Sequence, residues 1–194
     1  MTVVQRNWHR LLTPCAALLL GLWLNTVSAE DTGISFQEFA IHTGDTPQTL
    51  VSDIRLTYQL SDYLREGLLN GMTLENELSF TIEWHNSWWL NSQKRLSSVK
   101  TELTYHSLSK QYQVVRQDTN ETWNFPTLIA ALEQMGKLED YTLPALPDSA
   151  YHSDAAIFAT AKLTPKSLYL PLKIQALFSD RYALESEGVM WPIP

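Results

Sequence analysis

The 194-residue chain contains a single cysteine, Cys15, which lies in an N-terminal stretch that we expect to be removed. Disulfides, thiolate metal sites and cysteine nucleophiles are therefore excluded from the remainder of the chain. The seven glycines are dispersed, which argues against a glycine-rich loop that cradles phosphate. Beyond the N-terminal stretch, no apolar run reaches the roughly 20 residues that a membrane-spanning helix needs.

The first 29 residues have the order of segments that is typical of a secretory signal peptide. Arg6 and Arg10 precede an uncharged apolar run from Leu11 to Leu24, and the small residues Val27-Ser28-Ala29 follow it. This order predicts cleavage after Ala29 and a periplasmic location for residues 30–194. The alternative is an uncleaved membrane anchor, for which the apolar run is short.

Charge in the remaining 165 residues is strongly negative. The whole chain has 14 basic and 21 acidic residues, and Arg6 and Arg10 leave with the signal peptide, so 12 basic residues face 21 acidic ones, a net charge of −9. Because such a surface repels phosphate backbones, nucleic acid is not expected as a partner. The length is that of a single domain.

Alternating apolar and polar residues predict most of the strands. The clearest segment is Leu78 to Trp84, and Leu96 to Leu108 is expected to pair with it across the intervening loop. Tyr112 to Gln117 and Thr122 to Phe125 flank turn-forming residues and predict a hairpin. Other predicted strands are Ile34–Ile41, Leu50–Leu60, Ala155–Leu163 and Tyr182–Ser186, with an extended segment at 167–177.

Two short helices are predicted between these strands. Ser61 is a suitable N-cap for the first, which Gly71 ends, and Leu64, Leu68 and Leu69 are expected on its buried face. The second helix is expected to have Pro126 in its first turn and to end at Gly136. Leu128, Leu132 and Met135 are expected on its buried face. Residues 141–148 are expected to be irregular, and Trp191 to Pro194 to be a rigid tail. The expected fold is α+β, mainly antiparallel β, a sheet or a sandwich.

The sequence resembles an exported proteobacterial family known as domain of unknown function 4390. The resemblance depends on the segment Leu103 to Tyr112 (LTYHSLSKQY), on Phe125-Pro126-Thr127-Leu128 with Ala131-Leu132, on Leu170-Pro171-Leu172 and on the tryptophan near the C-terminus. It implies an envelope protein, often encoded beside a sensor kinase, with no assigned catalytic residues.

Residues that could perform chemistry do not form a known motif. His85 and His106 are weak polar candidates, because they would need to assemble from distant strands with Glu83 or Glu102. Glu75 and Glu77 share a face of a strand and could bind a cation or act as an acid–base pair, although such carboxylates are usually solvated. We therefore expect no catalytic residue, no metal and no cofactor.

Three tryptophans within six positions form the most distinctive cluster of the sequence. Trp84 and Trp88 would share one face of a strand, and Trp89 would point to the other. The alternative is that all three pack against their own sheet. Our hypothesis is that Trp88 or Trp89 contacts a partner, because an exposed tryptophan can grip a protein or stack on a sugar.

Two functions of different classes follow from these observations. The favoured one is a non-catalytic periplasmic module that binds a protein partner such as a membrane sensor kinase. The alternative is a module that binds a small ligand, lipid or glycan in a site lined by Trp84, Trp88 and Trp89. An envelope hydrolase that uses Glu75, Glu77, His85 or His106 comes third.

Overall fold

The computed structural model describes residues 32–46, 49–84, 92–147, 154–166 and 182–193. Most of these residues are in antiparallel strands, and two eight-residue helices join them. The elements in chain order are β1 (Gly33–Thr43), β2 (Leu50–Gln59), α1 (Asp62–Leu69), β3 (Leu74–Trp84), β4 (Ser92–His106), β5 (Gln111–Arg116), β6 (Thr122–Phe125), α2 (Leu128–Met135), β7 (Lys137–Thr142), β8 (Ala155–Pro165), β9 (Leu184–Glu185) and β10 (Val189–Pro192).

The strands form two sheets, a small one in the order β1-β2-β7 and a large one in the order β10-β8-β3-β4-β5-β6, with β9 also paired to β8. Strand β3 is central in the large sheet, since β4 and β8 pair along its full length. The predicted fold class, α+β with mainly antiparallel strands, is therefore confirmed, and so is the predicted pairing of β3 with β4.

The alternation seen in the sequence places the core between the two sheets. On β3, Leu78, Phe80 and Ile82 are buried, while the outward residues between them are polar. The ring of Phe80 stacks on Tyr141 from the small sheet, with 5.5 Å between ring centroids. Burial of a side chain of this size stabilises the fold by about 1.5–3 kcal/mol, so the Phe80–Tyr141 contact helps to hold the two sheets together.

Both helices begin at the type of residue that satisfies free backbone amides. The Ser61 side chain accepts a hydrogen bond from the Leu64 amide, and Thr127 accepts one from the Ala130 amide. Gly71 follows α1 in the left-handed region, at φ 88°, which a residue without Cβ adopts freely. The predicted N-cap of α1 and the glycines after both helices are thus confirmed.

Two details of the helix predictions were wrong. Leu69 is 47% exposed, because a residue directly after Leu68 lies about 100° further around a helix of 3.6 residues per turn. Pro126 does not lie in the first turn of α2, since Thr127 is the N-cap and Pro126 precedes it.

Two strand predictions also need correction. Residues 141–148 were expected to be irregular, but Tyr141 and Thr142 belong to β7, which pairs with β2. The C-terminal segment from Trp191 was expected to be a tail, but Trp191 and Pro192 end β10, which pairs with β8. Pro192 is tolerated there because it is the last residue of an edge strand, where a ladder amide is not needed. The extended segment predicted for residues 167–177 lies outside the described residues.

Candidate functional site

The structure places Trp84 in the fold and not on a free surface. Trp84 is the last residue of β3, opposite Ser92 on β4 and Ala155 on β8. Its side chain is half-buried and packs against the core, on the same face as Ile82. Trp88, Trp89 and His85 lie outside the described residues, so the predicted partner contact at Trp88 or Trp89 stays a prediction.

His106 is exposed at the end of β4. One of its ring nitrogens, Nε2, lies 3.2 Å from the Gln113 side-chain oxygen, its neighbour on β5. This hydrogen bond crosses the β4–β5 hairpin that the family resemblance includes. Within the described ranges, no group of three or more His, Cys, Asp or Glu residues could hold a metal ion.

The carboxylates of Glu75 and Glu77 share the outer face of β3, as predicted, and each contacts a cation. Lys100 Nζ donates to Glu75 Oε1 at 2.9 Å, and Arg95 Nη1 lies 3.2 Å from Glu77 Oε1. The hydrogen bond to Glu75 raises the pKa of Lys100 above its ordinary value. These contacts tie β3 to β4 across the outer face, as cross-strand ion pairs do.

The edges of the sheets differ in how they are protected. In natural sheets, lysine, proline, short strands and bulges prevent an edge from pairing with another chain. Strand β6 has only four residues, β10 has four and β9 two. Strand β7 has six residues and carries Lys137. The part of β4 that β5 does not pair carries Lys94 and Arg95.

Strand β1 lacks most of these protections. It has 11 residues, none of them lysine, arginine or proline. Its one irregularity is a bulge between Phe36 and Glu38. Strand β2 pairs with one side of β1, and among the described residues no strand pairs with its other side. Among the described residues, β1 is therefore a long edge that only one bulge and the charged Glu38 protect.

Hydrogen-bond directions show which backbone groups of β1 face that edge. The Leu56 amide donates to Gly136 O at 2.9 Å, on the side of β2 away from β1. Leu56 is the cross-strand partner of Phe36. Because residues of an antiparallel pair alternate between facing the partner and facing away, Phe36 and Ile34 direct their backbone N–H and C=O groups outward. On the other side of the bulge, the same alternation directs the backbone N–H and C=O groups of Phe39 and Ile41 outward.

Aromatic side chains extend along the inner side of this edge. The ring of Phe39 lies 6.2 Å from that of Phe36 and 6.2 Å, edge-on, from that of Trp191 on β10. All three rings are partly buried against the core. Aromatic packing therefore holds this edge of β1 in position, and no strand of the described ranges pairs with it.

A groove of about 730 Å³ lies beside α2, next to the first residue of β7 that pairs with β2. Its volume is within the range of small-molecule sites. The residues that line it are mostly polar, and they are Gln37, Glu38, Arg55, Leu56, Thr57, Phe125, Ala130, Glu133, Gln134 and Lys137. The only aromatic ring in this lining is that of Phe125, so the groove is not the tryptophan-lined site that the sequence suggested.

Sequence reasoning found neither the edge of β1 nor the groove. The strand itself was predicted, and its lack of lysine and proline is visible in the sequence. Its position at an edge depends on which distant strands pair, because β2 comes to lie between β1 and β7. The groove joins residues more than 90 positions apart, such as Gln37 and Gln134.

No helix in the described part of the chain is long and apolar enough to cross a membrane. Comparison with known proteins gave no match to a curated protein and no match to a solved structure. A family model, described as a domain of unknown function, matches residues 32–192. That range includes every strand and both helices described above, and the chain accordingly belongs to the family of the domain of unknown function DUF4390.

Proposed function

We propose that this chain is a non-catalytic module of the cell envelope that binds a protein partner by strand addition to the outer edge of β1. The observation that carries the proposal is the 11-residue edge strand without lysine, arginine or proline. In strand addition, main-chain hydrogen bonds supply affinity and alternate side-chain positions supply specificity. The backbone N–H and C=O groups available for these bonds are those of Ile34, Phe36, Phe39 and Ile41.

The side chains around the edge favour a particular kind of partner strand. Residues that face inward on β1 are apolar, whereas Ser35, Glu38 and His42 face outward. An added strand of alternating pattern would therefore turn apolar side chains toward the aromatic rings. The net charge of −9 favours a partner with basic outward residues, because opposite charge speeds encounter and selects the partner.

The location and the partner belong to the same proposal. The basic, apolar and small-residue segments of residues 1–29 support export across the cytoplasmic membrane with cleavage after Ala29. The family resemblance supports a membrane sensor kinase as the partner. An intact mass that begins at Glu30, measured on protein purified from the periplasm, is the expected result. A mass that includes residues 1–29 would contradict the location.

The partner is best tested with single cysteines, because the only native cysteine, Cys15, lies in the predicted signal peptide. Ser35→Cys and His42→Cys place a thiol on the outer face of β1. Thr119→Cys, in the exposed turn between β5 and β6, is the matched control. Thiol-directed crosslinking in intact cells should give an adduct with an envelope protein from the first two variants and none from the third.

Either of two results would refute strand addition at β1. One is the absence of any adduct from Ser35→Cys and His42→Cys, and the other is the same adduct at equal yield from Thr119→Cys. An adduct of twice the mass of the chain would identify the partner as a second copy and would remove the sensor kinase from the proposal.

The second candidate function is binding of a small ligand, and the 730 Å³ groove is the observation that favours it. Glu133 and Gln134 on α2 and Arg55 on β2 supply charged and amide groups around the Phe125 ring, which suits a polar ligand. Native mass spectrometry of the purified protein should then show bound mass that Ala130→Trp, which fills the groove, removes. Equal bound mass in both proteins would place the ligand elsewhere.

A further inference from the structure

Two buried polar atoms have no hydrogen-bond partner among the described residues, and the residues that carry them line the same small cavity. Asn76, on the inner face of β3, is 2% exposed, and its Oδ1 makes no hydrogen bond to any described residue. The same is true of Nε of Arg116, on β5. Both residues line a cavity of about 10 Å³ between the large sheet and the junction of α2 with β7.

Arg116 cannot turn away to find another partner for Nε, because the rest of its side chain is fixed. Its Nη2 donates to Lys137 O at 2.9 Å, and its Nη1 lies 3.7 Å from Glu121. The guanidinium also lies 5.6 Å from the centroid of the Trp123 ring, within the range of a cation–π contact. These contacts leave the Nε–H donor directed into the interior.

We infer that the cavity binds one ordered water molecule, which accepts a hydrogen bond from Arg116 Nε and donates one to Asn76 Oδ1. A cavity of roughly 10–15 Å³ is large enough for one water, and a buried water needs two to four polar partners. The donor and the acceptor are both present, and their roles match, since Nε–H only donates and Oδ1 only accepts. The water would connect β3, β5 and the start of β7.

The thermodynamic test depends on the energetic coupling between Asn76 and Arg116, which a double-mutant cycle measures. If the water bridges the two groups, Asn76→Leu displaces it, leaves Arg116 Nε–H unpaired and raises the unfolding equilibrium constant on the order of tenfold. In an Arg116→Met background no Nε–H remains to be left unpaired, so the same Asn76→Leu change should raise that constant about tenfold less there than in the native chain. Overpacking by leucine would act equally in both backgrounds, and the double-mutant cycle therefore separates it from the water.

Ser52→Ala is the matched control, because Ser52 is fully buried, its Oγ bonds to no described residue, and it does not line this cavity. That change should leave the unfolding constant unchanged or lower it. If Asn76→Leu also lowers the constant in the otherwise native chain, the inference is wrong.

A high-resolution crystal structure of the native protein provides a second measurement that needs no variant. A water peak within hydrogen-bond distance of both Asn76 Oδ1 and Arg116 Nε would support the inference. A direct bond between the two side chains, or a cavity without density, would overturn it.

Discussion

Gly136 occupies the point where α2 meets β2, and replacing it with alanine tests the packing at that junction. A Cβ at this position would lie 2.4 Å from Leu56 O and 3.0 Å from Tyr58 Cε2, whereas ordinary contacts begin near 3.4 Å. The backbone of Gly136 is in the right-handed helical region, at φ −82° and ψ −3°. Alanine therefore adopts the conformation easily, and the cost comes from the clash with Leu56.

Relief of that clash requires α2 to move away from β2 by about 1 Å, because the Cβ must withdraw from 2.4 Å to an ordinary contact distance of 3.4 Å from Leu56 O. Overpacking of this kind costs about 1–3 kcal/mol. The 2.9 Å bond from the Leu56 amide to Gly136 O would be lost as well, at about 0.5–1.5 kcal/mol. Lower chain entropy in the unfolded state offsets about 0.4–1 kcal/mol. The net loss of unfolding free energy is about 0.5–4 kcal/mol, centred near 2 kcal/mol, and a loss of about 2 kcal/mol lowers Tm by about 4–8 °C in a domain of this size.

Thermal unfolding followed by circular dichroism measures this effect directly. Gly33→Ala is the control, because a Cβ on Gly33 meets nothing within 4 Å, and its Tm should stay the same or rise slightly. If the Tm of Gly136→Ala equals that of Gly33→Ala, the close approach of α2 to β2 is wrong, and so is the groove that this approach forms.

Further predictions concern single side chains. Burial raises the pKa of Tyr58 far above its ordinary value of 10.0. Above about pH 10 this tyrosine therefore ionises in the unfolded state alone, and the unfolding free energy, which it leaves unchanged below that pH, falls as the pH rises further. The Tyr58 hydroxyl is buried and has no partner in the described part of the chain, so Tyr58→Phe should raise the unfolding free energy by about 1 kcal/mol at pH 7. The same change should reduce the fall of the unfolding free energy above about pH 10, and an unchanged fall in urea titrations would contradict this. Trp84→Ala should lower the unfolding free energy by about 2 kcal/mol, because the Trp84 ring is half-buried against the core. Trp88→Ala or Trp89→Ala should remove partner crosslinking with little change in Tm, and a large drop in Tm would instead make these tryptophans part of the core.

The strands that could be predicted from sequence are those with regular alternation. Leu78 to Trp84 alternates without interruption, and the structure has β3 there, paired on both sides. Strand β7 was missed because its pattern is broken. Asp140 adopts φ 52°, and the ladder with β2 shifts between Ser52 and Ile54. A bulge of this kind adds a residue to one strand and so destroys the two-residue period that sequence analysis uses.

The candidate site was predictable to a smaller extent. Glu75 and Glu77 lie on the same outward face because side chains of a strand repeat every two residues. The cations that contact them come from β4, and the register of β4 with β3 shifts at a bulge near Phe80. The fixed position of Arg116 was not predictable at all. It depends on Lys137 and Trp123, which approach it only when β6 and α2 have folded back over β5.

The edge of β1, with which no described strand pairs, also has a consequence for the protein in a concentrated solution. An unpaired edge bonds to any strand that reaches it, and in a purified sample that strand belongs to another copy of the chain. At low ionic strength the net negative charge, −7 over the whole sequence, keeps the copies apart. Salt screens this repulsion, with a Debye length of about 8 Å at 0.15 M, but leaves the backbone hydrogen bonds of the edge intact. Self-association should therefore increase with salt, and purification is best carried out at low ionic strength.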